Sequence, residues 1–196
     1  MVGPERTYDR LVERAGAQHG FLRTADLDDL AIPQVYVRKL AAAGRADHRA
    51  RGLYRLTAMP VTARDEYHEA VLWAGNGAAV AGEAALALWD LADVNPRRID
   101  VVIPAGRRLR RHDAGRFRVT TAELRPEDVD YVDQIPVVVP SVAIAQTIDR
   151  GLEGTLIDQA ITTARARNLL SALAEARLRV ASADRNPRDP RWKEDR

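Results

Sequence analysis

The stretch PQVYVRKLAAAGRADHRARGLYRL, residues 33–56, decides the fold of the amino-terminal part of this 196-residue chain. Val37, Leu40 and Ala41, with Tyr36 beside them, recur at helical spacing. Pro33 suits the first turn of that helix and Gly44 the position just past its end. ADH (46–48) and LYRL (53–56) then read as two short strands joined by Arg49-Ala50-Arg51-Gly52. Working upstream, Tyr8, Leu11, Val12 and Ala15 make one helical stripe, with Thr7 as its cap. Gly20 interrupts, and Thr24 opens a short second helix with Asp26 in its first turn and Leu27 and Leu30 turned inward. Three helices and a hairpin in so short a span follow the plan of a winged helix-turn-helix. Its expected extent is residues 1–58, with Met59-Pro60 as a boundary.

Downstream, the pattern predicts a mixed α/β domain over 61–181, so the fold class is α+β. Thr62 caps a helix with the stripe Tyr67, Ala70, Val71 and Ala74, and a second helix, about 82–91, carries Ala85, Leu88 and Trp89. The β-branched runs IDVVIP (99–104), RFRVTTAEL (116–124) and QIPVVVP (134–140) suit strands. Ser141 then caps a helix with Ile144 and Ile148 inside. Ile157, Ala160, Ile161 and Ala164 mark the next helix, and Leu169, Leu173, Ala176 and Val180 the last. Residues 182–196 are charge and proline and read as a disordered tail.

Composition removes several classes. The longest apolar run is six residues, Ala84 to Trp89, where a membrane span needs about 20. The opening MVGPERTYDR has no apolar stretch of the secretory kind, so the expectation is a cytoplasmic protein without membrane contact. Zero cysteines exclude disulfides, thiolate catalysis and Cys-ligated zinc. Lys39 and Lys193 are the only lysines among 30 basic residues, so the cations are guanidinium groups. The net charge of +2 conceals an uneven distribution. Residues 1–60 hold ten basic and seven acidic side chains; residues 61–140 hold ten and thirteen.

The third helix is the main functional candidate. Opposite its apolar face lie Gln34 and Arg38, flanked by Val35 and Lys39. Gln and Arg read adenine and guanine edges in the major groove, and Lys39 suits a phosphate. Arg49 and Arg51 at the hairpin tip, with Arg45 at its root, are placed to reach the DNA backbone beside it.

GFLRTADLDDLAIPQVYVRKLAAAGRADHRARGLYRL (20–56) resembles the amino-terminal winged helix of the AbiEi-family antitoxins of type IV toxin–antitoxin systems. The carrying features are a Gly before the second helix, T-x-x-L opening it, a Gly closing the third, and G-L-Y-R-L in the wing. The resemblance continues through GNGAAVAGEAALALWDL (75–91), RIDVVIP (98–104), IPVVVPSVAIAQTID (135–149) and DQAITTARARNLLS (158–171). Two positions depart from the family pattern: Pro33 replaces the usual polar cap, and Asn168 stands where Gly is frequent. The resemblance implies autoregulation, in which the winged helix binds inverted repeats in its own promoter as cooperating monomers and represses the operon. It further implies that the α/β domain neutralises a nucleotidyltransferase-type toxin. The toxin signature begins Gly-Ser, a dipeptide this chain lacks, so the chain is not itself that enzyme.

Six arginines, Arg107, Arg108, Arg110, Arg111, Arg116 and Arg118, crowd between two strand candidates with Asp113 as the sole acid. They read either as a contact for toxin or phosphate or as charge guarding a sheet edge. No catalytic motif emerges. A (D/E)-x-K nuclease motif fails because Val37 and Arg191 precede the two lysines, and Gly75, Gly77 and Gly82 lack Rossmann or kinase spacing. His19, His48, His68 and His112 are scattered, and Asp128, Asp130 and Asp133 read as an acidic loop, so no metal site is expected. Relatives have been proposed to phosphorylate their toxins. An atypical serine/threonine kinase, with ATP and Mg²⁺, is therefore one alternative, and a stand-alone regulator is the other; otherwise no cofactor is expected.

Overall fold

The computed structural model describes residues 4–107, 109 and 115–184. The chain forms two compact units, Met1–Asn76 and Gly77–Arg196.

The first unit runs α1 (Pro4–Gly16), β1 (Phe21–Arg23), α2 (Thr24–Asp29), α3 (Gln34–Ala42), β2 (Ala46–Ala50), β3 (Leu53–Leu56) and α4 (Asp65–Ala74). The three strands form an antiparallel sheet in the order β1-β3-β2, which completes a winged helix. Leu11, Ala15, Leu22, Leu27, Ile32, Val37, Leu40, Ala46, Tyr54 and Leu56 form one buried cluster. Tyr8, Val12, Leu30, Tyr36, Ala41 and Met59 pack around it. Each fully buried Leu contributes about 1.5–3 kcal/mol relative to exposure, so this cluster is the main cohesive term.

Local details depart from the sequence expectations. Helix α1 begins at Pro4 rather than after Thr7, consistent with proline's tolerance in a first turn. Pro33 is the residue before α3, with φ −60° and ψ 136°, and the helix starts at Gln34. The three-residue β1 had no alternation long enough to register in the sequence; only its pairing with β3 makes it a strand.

Helix α4 falls in the first unit, although it follows the Met59-Pro60 boundary. Buried Arg55 on β3 explains this. Its Nε and Nη2 donate to Asp65 Oδ2 at 3.1 and 2.8 Å, and Nη2 also donates to the Pro60 carbonyl at 2.7 Å. Thr62 accepts the Arg64 N–H at 3.2 Å and donates to Asp65 Oδ1 at 2.6 Å, so it fixes the entry to α4 one turn ahead of the helix. Buried His68 packs against His19, ring centroids 4.8 Å apart, and against Phe21 at 6.1 Å. Neither ring nitrogen of His68 finds a hydrogen-bond partner among the described residues. Burial first, then the neighbouring His19, lowers its pKa from 6.5 to about 4.

The second unit contains β4 (Ala79–Val80), α5 (Gly82–Leu88), β5 (Ile99–Pro104), β6 (Phe117–Ala122), β7 (Val129–Val132), β8 (Ile135–Val138), α6 (Pro140–Asp149), α7 (Gly154–Ala166) and α8 (Ala172–Asp184). Its sheet has the order β6-β5-β4-β8-β7. Pairs β5–β6 and β4–β8 are parallel, whereas β4–β5 and β7–β8 are antiparallel. The mixed α/β expectation holds, with β5 matching IDVVIP end to end. Asp133 and Gln134, at φ +48° and +65°, make the two-residue turn between β7 and β8 that suits a type I′ hairpin. Asp133 is therefore a turn residue, and Asp130 lies in β7. Ser141 is the second residue of α6, after Pro140, and not its cap.

Helix α8 reverses one expectation. Its buried residue is Leu178, with Ala174 and Ser182 half-buried on the same side, while Leu173 and Val180 are 62% and 61% exposed. Both stripes have helical spacing, so periodicity did not distinguish them. The helix also continues to Asp184, into the start of the segment read as a tail; residues 185–196 lie outside the described residues. No helix among the described residues is long and apolar enough to cross a membrane.

Candidate nucleic-acid interface

Helix α2 is anchored within the unit by buried Asp26. It accepts the Arg23 N–H at 2.7 Å and pairs with the guanidinium groups of Arg23 and Arg14 at 3.3 and 3.5 Å. One carboxylate thus ties α1, β1 and α2 together, and burying it is tolerable because cations and an N–H satisfy it. Arg10 donates to the Leu30 carbonyl at 2.9 Å where α2 ends. Ala31 then turns the chain with φ +52°, and the Ile32 N–H donates to the Leu27 carbonyl at 2.8 Å. Ile32 is buried, so the turn is anchored from inside.

Helix α3 buries Val37 and Leu40. Arg38 and Lys39 are exposed, as is Val35 at 55%. At 100° per residue the centre of the outward face falls on Val35, with Arg38 and Lys39 on either side. Gln34, expected at the centre, sits half-buried at the edge. Arg38 and Lys39 make no ion pair among the described residues.

The wing differs more. Strand β2 runs through to Ala50, so Arg49 lies in a strand and not at the tip. The register skips there, with His48 opposite Tyr54 and Ala50 opposite Leu53, which makes Arg49 the bulge residue. Its guanidinium turns to α4 and grips Glu69, Nε to Oε1 at 3.2 Å and Nη2 to Oε2 at 2.9 Å. Glu69 is buried, so Arg49 is committed within the unit. Arg45 is exposed but its guanidinium carbon lies 3.9 Å from the centroid of the Tyr8 ring. The tip is Arg51-Gly52. Gly52 has φ +75°, its carbonyl accepts the Thr24 N–H at 3.0 Å, and a Cβ there would stand 3.0 Å from Thr24 Oγ1. The turn is therefore seated on the start of α2, with Arg51 exposed and unpaired among the described residues.

The arginine-rich segment divides. Arg118 faces inward and pairs with buried Asp100 at 3.5 Å, and Arg150, the residue that follows α6, reaches the same carboxylate at 2.7 Å. Burial raises the Asp100 pKa, opposed by Arg150 and Arg118; half-buried Glu83 is raised by burial and by Asp100. This cluster is an internal ionic knot, and a side chain at Gly82 would collide with it at 2.7 Å from Asp100 Oδ2. Arg116 lies 4.9 Å over the Phe117 ring, and Arg107 is half-buried. Arg108, Arg110 and Arg111 lie outside the described residues. No group of three His, Asp or Glu side chains among the described residues can hold a metal ion. Asp128 instead pairs with Arg125 at 2.8 Å.

Sequence reasoning missed the two arginine–carboxylate clamps onto α4. The available signal was Asp65 and Glu69, acids four residues apart and so on one helix face, facing Arg49 and Arg55 on adjacent strands.

A helix-turn-helix whose α3 and hairpin tip carry three exposed cations, unpaired among the described residues, defines the winged-helix class. Residues 9–57 match the family described as "Transcriptional regulator, AbiEi antitoxin", in agreement with the resemblance. The whole fold is similar to that in the crystal structure of the RV2827C protein from Mycobacterium tuberculosis. The TM-score is 0.50 at 16% identity, covering 90% of this chain and 80% of that one. A comparison with curated proteins finds no match.

Proposed function

We propose that this chain is an antitoxin that binds promoter DNA of its own operon through α3 and the wing, represses it, and neutralises a nucleotidyltransferase-type toxin. The observation that carries the DNA half is the outward face of α3, where Arg38 and Lys39 stand exposed and, among the described residues, unpaired on a winged-helix scaffold. Arg51 at the hairpin tip supplies a further backbone contact. The family match covers this module alone, which supports the regulatory half more directly than the toxin-neutralising half. The contact surface for toxin is drawn from the 107–118 segment, without Arg118, and no cofactor is assigned.

Gel shifts on the DNA upstream of the gene test the first half. Wild type shifts that DNA at nanomolar protein, and a combined Arg38→Ala, Lys39→Ala, Arg51→Ala variant does not. Equal shifts by both proteins would overturn the site. Co-expression with an adjacent nucleotidyltransferase tests the second half: growth arrest must be relieved by the full chain. Failure of that rescue, with DNA binding intact, leaves a stand-alone regulator.

A further inference from the structure

Resting on the DNA reading above, we infer that Val35 is a base-reading residue that takes the C5-methyl group of a thymine in the major groove, beside the guanidinium of Arg38. Only a few large apolar side chains are strongly exposed among the described residues: Val35, Val61, Tyr131, Leu173 and Val180. Of these, Val35 alone lies on α3. Its direction is about 170° from the mean of buried Val37 and Leu40 at 100° per residue. Arg38 and Lys39 diverge from it by about 60° and 40° on opposite sides.

An exposed valine does little for the helix that carries it. Its β-branched side chain is stiff and a weaker helix former than alanine, and nothing within the unit covers it. The flanking cations make its natural partner a polyanion that also presents an apolar group. Duplex DNA meets both conditions, and the thymine methyl is the apolar feature of the major-groove edge. Val35 is also the second residue of α3, at the end from which recognition helices reach base edges. Its restricted χ1 means little rotamer freedom is lost on contact.

The test uses the full chain and duplexes it selects from a random-sequence pool. Each thymine of the tightest duplex is replaced in turn by deoxyuridine, which removes only the methyl group. Wild type loses about fourfold in affinity at one position of each bound site, the value of burying one methyl. Val35→Ala, a change that favours the helix, binds thymine and uracil duplexes equally. Arg38→Ala weakens both but keeps the fourfold ratio. No uracil-sensitive position in wild type, or a penalty that survives Val35→Ala, would overturn the assignment while the DNA reading stands. A pool from which wild type selects nothing overturns both.

Discussion

Arg49 and Glu69 join the bulge of β2 to the middle of α4 through two parallel hydrogen bonds, 3.2 and 2.9 Å long. A residue that sequence places among the phosphate contacts is thereby turned into a clamp. Of the proposed DNA-binding set, Gln34, Val35, Arg38, Lys39 and Arg51 keep side chains unengaged by ion pairs among the described residues, whereas Arg45 and Arg49 are committed to Tyr8 and Glu69.

Arg49→Ala and Arg51→Ala therefore separate. Arg51→Ala lowers DNA affinity and reduces the slope of log affinity against log salt by about 1, as loss of one phosphate contact requires. Arg49→Ala leaves that slope unchanged and instead lowers stability by about 1–2 kcal/mol, because Glu69 remains buried with one fewer charged donor. Salt titrations of binding and urea denaturation read the two effects.

On α3 the two cations have different roles. Arg38→Ala costs about 1–3 kcal/mol against the preferred sequence and relaxes preference at one base pair. Lys39→Ala weakens binding to all sequences alike. Competition between selected and scrambled duplexes distinguishes them.

Asp65→Ala leaves Arg55 buried without its carboxylate, and the expected loss is about 3–5 kcal/mol of unfolding free energy. Urea denaturation of the full chain measures it. An unchanged midpoint would show that the Met59 and Pro60 carbonyls suffice to hold the guanidinium.

Stability should also depend on His68. In the unfolded chain it takes up a proton near pH 6.5, whereas the folded protein resists until about 4. Between those values the unfolded state binds more protons, so stability is full above the upper one and falls as pH drops toward the lower. At 1.36 kcal/mol per pH unit, going from about pH 7 to about pH 5 costs about 2 kcal/mol. His68→Phe removes that part of the pH dependence, which paired denaturation curves at the two pH values detect.

Much of the architecture was legible from short-range pattern. The stripes Leu11/Ala15, Val37/Leu40, Ile144/Ile148 and Ile157/Ala160/Ile161/Ala164 are all buried as expected. Their helices present one apolar face, so periodicity has one solution. Gly44 and Asn168, at φ +70° and +57°, close their helices as residue type predicts. Strands β1 and β4, of three and two residues, were not legible, since so few positions carry no alternation and only hydrogen bonds to neighbours define them.

The sequence by itself determined the order of the helices and of the longer strands, the winged-helix plan, the apolar face of α3 and hence the exposure of Arg38 and Lys39. These follow from local spacing and residue conformational preference. Only the tertiary structure decided which arginines remain available. Arg49, Arg51, Arg55 and Arg118 are chemically alike, and their commitment depends on whether Glu69, Asp65 or Asp100 comes within reach across the fold. A guanidinium's partner is set by distances between residues far apart in the chain, which spacing along the chain does not encode. The same holds for α8, where neighbouring helices chose Leu178 over Leu173 and Val180 for burial.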